Sequence, residues 1–143
     1  MKRTDTSVDE FLRSFEEPRA SDLAELDALI HAELFGCERV LWEGVFWGGT
    51  EQRIIGYGTL LQPRPRGKQV EWMLIGLAAQ KQHLSVYVNA VESGEYLVRN
   101  RAATLGNVKV GASALTFKKL EGLDLDAFRS LLRRALELSH KPA

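Results

Sequence analysis

Apolar residues recur at helical spacing near the start of the chain. Four of them occupy positions i, i+3, i+4 and i+7, one face of a helix: Val8, Phe11, Leu12 and Phe15. Ser7 and Glu10 have the spacing of a capping box, so the helix is predicted to start there. A second helix is predicted to end at Gly36. Its inner face consists of Leu23, Leu26, Ile30 and Leu34.

The pattern changes to strands between residues 52 and 89. Segments rich in β-forming residues cover 54–61, 70–77 and 83–88, and turn-forming segments separate them. In the last segment, alternate residues share a face of the sheet. The two faces are Leu84, Val86 and Val88 on one side, and His83, Ser85 and Tyr87 on the other. Three successive strands joined by short turns predict an antiparallel meander.

The C-terminal third predicts a helix, a strand and a final helix. The first helix is expected over residues 93–103, with a stop at Gly106, and the strand over 110–118. Asp124 is placed to cap the final helix. The inner face of that helix consists of Leu125, Phe128, Leu132 and Ala135. The segment 42–49 has no clean period and is expected to be a turn-rich connection.

These elements predict a single domain over residues 1–143 with an α+β fold. We expect a two-layer sandwich in which an antiparallel sheet of about four or more strands carries the helices on one face. Those helices come from the N-terminal and C-terminal parts of the chain. The length of 143 residues, with 45% hydrophobic and 27% charged side chains, is typical of such a globular domain.

Several sequence features predict a cytoplasmic protein with no membrane partner. The basic start is followed by an acid-containing amphipathic segment, whereas a signal peptide would need a continuous apolar run. No stretch approaches the roughly 18 apolar residues of a membrane helix. Cys37 is the only cysteine, so no internal disulfide can form.

The charges cancel overall but are unevenly distributed along the chain. The formal net charge is zero, which disfavours a nucleic-acid partner. Residues 1–35 contain nine acidic and four basic side chains, whereas residues 99–143 contain nine basic and four acidic ones. The chain is therefore acidic at its start and basic at its end.

The sequence contains no motif for a preorganised metal site or for nucleophilic catalysis. The three histidines and Cys37 lack the spacings of transition-metal ligands, and there is no nucleophile elbow or phosphate loop. Gly56 and Gly58 are expected to mark a bulge or a ring packed over bare backbone. Asp22 and Glu25, on the second helix, are candidates for weak binding of a hard cation through their oxygens.

An aromatic segment beside glycines is the best candidate for a ligand site. Trp42 and Trp47 are five residues apart in this segment, and Trp72 is midway along the second predicted strand. We predict that these rings wall one cleft, with a few polar groups at its edge. The residues of this hypothetical cleft are Trp42, Glu43, Trp47, Trp72, Lys81, His83 and Tyr87. The alternative is that the rings only fill the core.

Four blocks of sequence occur in an order that points to a known family. They are Ser7 to Leu12, the Trp-Gly-aromatic segment 42–49, Lys81 to Tyr87, and the block from Leu105 to Asp126. Together they resemble the YdhG-like family, domain of unknown function 1801. The resemblance implies a two-layer α+β sandwich comparable with frataxin, and some relatives are labelled intracellular iron chaperones. Segment 42–49 departs from the Trp-Gly-x-Pro-x-Phe pattern of many members.

These observations support three functional hypotheses. The first is a non-catalytic cytoplasmic binding domain that holds a small molecule, a protein segment or a weakly bound metal such as iron. The second is an enzyme or enzyme accessory that uses the aromatic cleft, and the third is a self-associating module that forms homo-oligomers. The sequence identifies neither a cofactor nor a specific partner.

Overall fold

The computed structural model describes residues 2–45, 51–63 and 69–139. The elements of the N-terminal half are β1 (Lys2–Arg3), α1 (Val8–Arg13), α2 (Arg19–Glu33), β2 (Arg39–Val45), β3 (Glu51–Pro63) and β4 (Gln69–Ala79). The remaining elements are β5 (Leu84–Val88), β6 (Val91–Glu92), β7 (Glu95–Tyr96), α3 (Leu97–Asn100), β8 (Lys109–Val110), β9 (Ala114–Phe117) and α4 (Leu125–Ser139). Short 3-10 turns occupy Ala102–Thr104 and Leu120–Gly122.

Seven strands form one sheet in the order β1-β2-β3-β4-β5-β9-β8, and every neighbouring pair is antiparallel. The strands β6 and β7 form a separate hairpin. The meander predicted from residues 52–89 is confirmed as β3, β4 and β5. The α+β sandwich is confirmed as well, because the helices cover one face of this sheet through a shared apolar core.

Local signals in the sequence correctly predicted where several helices begin or end. The Ser7 hydroxyl accepts a hydrogen bond from the Glu10 amide at 3.2 Å, as the capping box predicts. The Asp124 carboxylate accepts one from the Ala127 amide at 3.0 Å, at the start of α4. Gly36 has a φ of +84°, the left-handed conformation that ends a helix at little steric cost for glycine.

The predicted inner faces of the two long helices meet the sheet. From α2, residues Leu23, Leu26 and Ile30 are buried in the core. From α4, the buried residues are Phe128, Leu131, Leu132 and Ala135. Within the part of the chain that the structure describes, no helix combines the length and the apolar character needed to cross a membrane.

Three local predictions are wrong. The turn-rich connection expected over 42–49 begins instead as part of strand β2, whereas residues 46–50 lie outside the described part. The helix expected over 93–103 is reduced to α3, because Ser93 and Gly94 both have positive φ, as in the tight turn of a hairpin. The single strand expected over 110–118 is the β8–β9 hairpin.

Candidate functional site

Trp42 and Trp72 lie together on the face of the sheet opposite the helices. Leu41 and Ile55 belong to the main core, so the next residue in each direction, Trp42 and Ile54, must point to the other side. The ring centroids of Trp42 and Trp72 are 5.4 Å apart, with the ring planes tilted by 56°. Tyr87 packs against the same apolar cluster. The structure thus brings together three of the residues assigned to the hypothetical cleft.

The Trp42 ring packs directly over the backbone of β3. A Cβ atom built at Gly56 would lie 2.5 Å from Trp42 Nε1, closer than real side chains approach. The prediction of a ring over bare backbone is therefore confirmed at Gly56. The exposed fractions of Trp42 and Trp72 are 4% and 9%, so little of either ring faces solvent.

The pocket that Trp42 lines, between residues of β2, β3 and the chain start, has about 0 Å³ of space for a water-sized molecule. Sites for small molecules usually occupy about 300–1,000 Å³. Trp47, the third ring of the hypothetical cleft, lies outside the described residues. Within the described part, the Trp42–Trp72 pair is part of a packed cluster, and the cleft that Trp47 would complete stays a prediction.

Three of the polar residues assigned to the hypothetical cleft lie on separate elements of the fold. Glu43, on β2, pairs with Arg53 on β3 at 3.7 Å. Lys81 lies exposed in the turn between β4 and β5, and the half-buried His83 immediately precedes β5.

Gly56→Ala is expected to lower the free energy of unfolding by about 1–3 kcal/mol, because the added methyl group and the Trp42 ring cannot share one space. Urea denaturation followed by tryptophan fluorescence would measure this. Gly111→Ala is the matched control, since a Cβ there would meet only Ala114 O within 4 Å, at 3.9 Å. A Gly56→Ala variant as stable as the control would show that Trp42 does not pack over this strand.

A second set of residues surrounds two adjoining grooves at the end of strands β5 and β9. One groove encloses about 560 Å³ and the other about 400 Å³. The first is lined by Asn107, Val108, Lys109, Thr116, Phe117, Lys118, Lys119, Glu121 and Gly122. The second is lined by Pro18, Arg19, Asp22, Leu84, Lys118, Lys119 and Glu121. We call the two together the basic groove.

Strand register brings the cations of the basic groove together. The pairing of Leu84 with Phe117 places the start of β5 beside the end of β9, where Lys118 and Lys119 follow. The pairing of Lys109 with Thr116 brings a third lysine from β8 to the same end of the sheet. All three lysines are exposed, and none forms an ion pair with another described residue.

Arg19 adds a fourth cation at the start of α2. Its guanidinium donates to the backbone carbonyls of Gln80 and Lys81, the second at 3.3 Å. These contacts hold the side chain beside the β4–β5 turn, and no carboxylate among the described residues forms an ion pair with it. Asp22 accepts a hydrogen bond from the Leu120 amide at 3.2 Å, which joins α2 to the turn that follows β9.

The basic groove was not among the sites predicted from the sequence. A signal for it was present, because residues 99–143 carry an excess of five positive charges and two adjacent lysines follow a strand. Sequence alone could not show that Arg19, about a hundred residues earlier, joins them.

A charge network centred on the buried Asp27 connects both N-terminal helices to the sheet. The Tyr57 hydroxyl donates to Asp27 Oδ1 at 2.7 Å, and Arg39 Nη1 donates to Asp27 Oδ2 at 2.5 Å. Arg39 also pairs with Asp9 at 2.9 Å. Burial and the adjacent Asp27 carboxylate raise the pKa of Tyr57 well above its usual value, so its phenol remains a hydrogen-bond donor at neutral pH. No described groove reaches this network, and we assign it to stability.

The residues proposed for weak metal binding do not assemble a ligand set. Asp22 is half-buried and already accepts the Leu120 amide, whereas Glu25 is exposed. In the described ranges, no three His, Cys, Asp or Glu side chains are grouped so that they could hold a metal ion.

Comparisons of the chain with family models, curated proteins and solved structures found no match. The functional argument therefore rests on the geometry and charge of the basic groove.

Proposed function

We propose that this chain is a binding domain that holds a small anionic ligand in the basic groove. The observation that carries the proposal is the convergence of three lysines without ion pairs around one depression. Keeping like charges together is unfavourable unless water, salt or a ligand compensates them. An anion that bridges the lysines would remove this repulsion.

The chemistry of the lining favours phosphate or carboxylate groups. Lysine ammonium groups are compact charges with three donors each, and they are common phosphate ligands. The volumes of both depressions fall in the range of small-molecule sites.

The remaining hypotheses have less support from the described geometry. The iron-chaperone role that the YdhG-like resemblance implies would need oxygen ligands in a cluster, whereas the basic groove contains more cations than carboxylates. We propose the cytoplasm as the location, because Cys37 is the only cysteine in the sequence and an internal disulfide cannot form.

Replacing the two lysines that line both depressions, Lys118→Gln with Lys119→Gln, is expected to weaken pyrophosphate binding by about tenfold or more, because glutamine keeps much of the side-chain length without the charge. Isothermal titration calorimetry at low ionic strength would measure the affinity. Binding to the unaltered protein should also weaken as salt is raised, since exposed charges are screened over about 10 Å at 0.1 M.

The matched control is Lys2→Gln, an exposed lysine on β1 at the opposite edge of the sheet. This variant should bind pyrophosphate as the unaltered protein does. No detectable pyrophosphate binding, or equal losses in the control and the double variant, would overturn the proposal.

A further inference from the structure

The two depressions of the basic groove share a central wall. Lys118, Lys119 and Glu121 line both of them. Beyond this wall, each depression has a cation of its own: Lys109 from β8 lines the larger one, and Arg19 from α2 lines the smaller one. Asp22 also lines the smaller depression, where its carboxylate accepts the Leu120 amide. The groove therefore consists of two compartments, each with more cations than carboxylates, and Glu121 lies on the wall that they share.

This arrangement is unsuited to a continuous string of negative charge. A ligand that crosses the central wall passes Glu121, for which no ion pair with a described residue is present. A carboxylate repels an anion but accepts hydrogen bonds from hydroxyl groups. The middle of the ligand should therefore be neutral and should carry hydroxyl donors.

We propose that the ligand of the basic groove carries two anionic groups joined by a neutral, hydroxyl-bearing segment, as in the class of sugar bisphosphates. One anionic group lies in the compartment of Lys109 and the other in that of Arg19, and both contact the central lysines. The hydroxyl groups between them donate to Glu121. This inference rests on the proposed function and specifies the ligand class of the same site.

Three probes separate the features of this ligand. Fructose 1,6-bisphosphate has two phosphates on a hydroxylated segment, fructose 6-phosphate has one, and pyrophosphate has two phosphoryl groups with no such segment. Calorimetry should give an affinity at least tenfold higher for the bisphosphate than for the monophosphate, because the second phosphate binds without a second loss of translational freedom. The bisphosphate should also exceed pyrophosphate.

Variants then assign the effect to the two compartments. Lys109→Gln should reduce the affinity for the bisphosphate to that for the monophosphate, and this exposed side chain forms no ion pair in the described structure whose loss would disturb the fold. Arg19→Gln should do the same from the other compartment. Glu121→Gln should reduce the preference for the bisphosphate over pyrophosphate. Amide shifts in NMR titrations should appear at both Lys109 and Arg19 with the bisphosphate.

The outcomes distinguish this inference from the proposed function. If pyrophosphate binds and requires Lys118 and Lys119, but the bisphosphate and monophosphate bind equally, the domain binds anions and the two-compartment inference is wrong. The same conclusion holds if bisphosphate binding is unaffected by Lys109→Gln and shifts the amides of one compartment only. If none of the three probes binds, both proposals are wrong.

Discussion

Phe128→Ala is expected to lower the free energy of unfolding by about 3–5 kcal/mol, the usual cost of removing a large ring from a packed core. Phe128 lies on α4 with no solvent exposure and belongs to the core between the helices and the sheet. The alanine variant loses the buried ring and leaves a cavity that the surrounding side chains fill only in part. Urea denaturation followed by circular dichroism would measure the loss.

Phe35→Ala is the matched control, because the same substitution removes a ring that is 88% exposed. Its effect should stay within about 0.5 kcal/mol, as for most surface substitutions. A loss below about 1 kcal/mol for Phe128→Ala would show that α4 is not docked on the sheet as described.

Arg39→Met is expected to lower the free energy of unfolding by about 3 kcal/mol, because it leaves the buried Asp27 carboxylate without a compensating positive charge. Methionine retains the aliphatic part of the side chain and removes the guanidinium that pairs with Asp27. The Asp27 carboxylate would then keep only the Tyr57 hydroxyl among its described partners. Thermal and urea denaturation would both report the loss.

Arg53→Met supplies the comparison on an exposed pair. Arg53 is 62% exposed and lies 3.7 Å from Glu43, so this ion pair should contribute less than about 1 kcal/mol. Equal effects of the two methionine variants would contradict a structural role for the Asp27 network.

Periodic elements were predictable because their signal is local. The stripe on α4 repeats at helical spacing, and its cap, Asp124, is adjacent in sequence. The meander of β3, β4 and β5 was predictable for the same reason, since alternation and turn residues specify each strand and its neighbour. Each of these elements has one apolar face, and packing those faces against one another forms the core.

The wrong predictions concern short elements whose conformation depends on distant neighbours. Strand β2 contains Gly44, a residue type that is depleted in strands, yet pairing with β3 over its whole length fixes it as a strand. Residues 93–95 have the composition of a helix cap. In the structure, β6 pairs with β7, and Ser93 and Gly94 form the turn of that hairpin. Tertiary pairing overrides weak local preference at such places.

The structure places three aromatic residues of the hypothetical cleft on one surface of the sheet. Trp42, Trp72 and Tyr87 meet there because alternation along each strand decides which face a side chain takes. The basic groove could not be predicted from such local patterns. Its cations come from α2, β8 and the end of β9, and only the order of strands in the sheet makes them neighbours.

The sequence by itself therefore determined the α+β class, the caps and inner faces of the long helices, and the central meander, since each depends on contacts between residues close along the chain. The tertiary structure alone decided the buried pairing of Asp27 with Arg39 and Tyr57, and the meeting of Arg19 with Lys118 and Lys119 around one groove. Charges act through space and carry no periodic signature, so their partners become known only when the fold sets the distances between them.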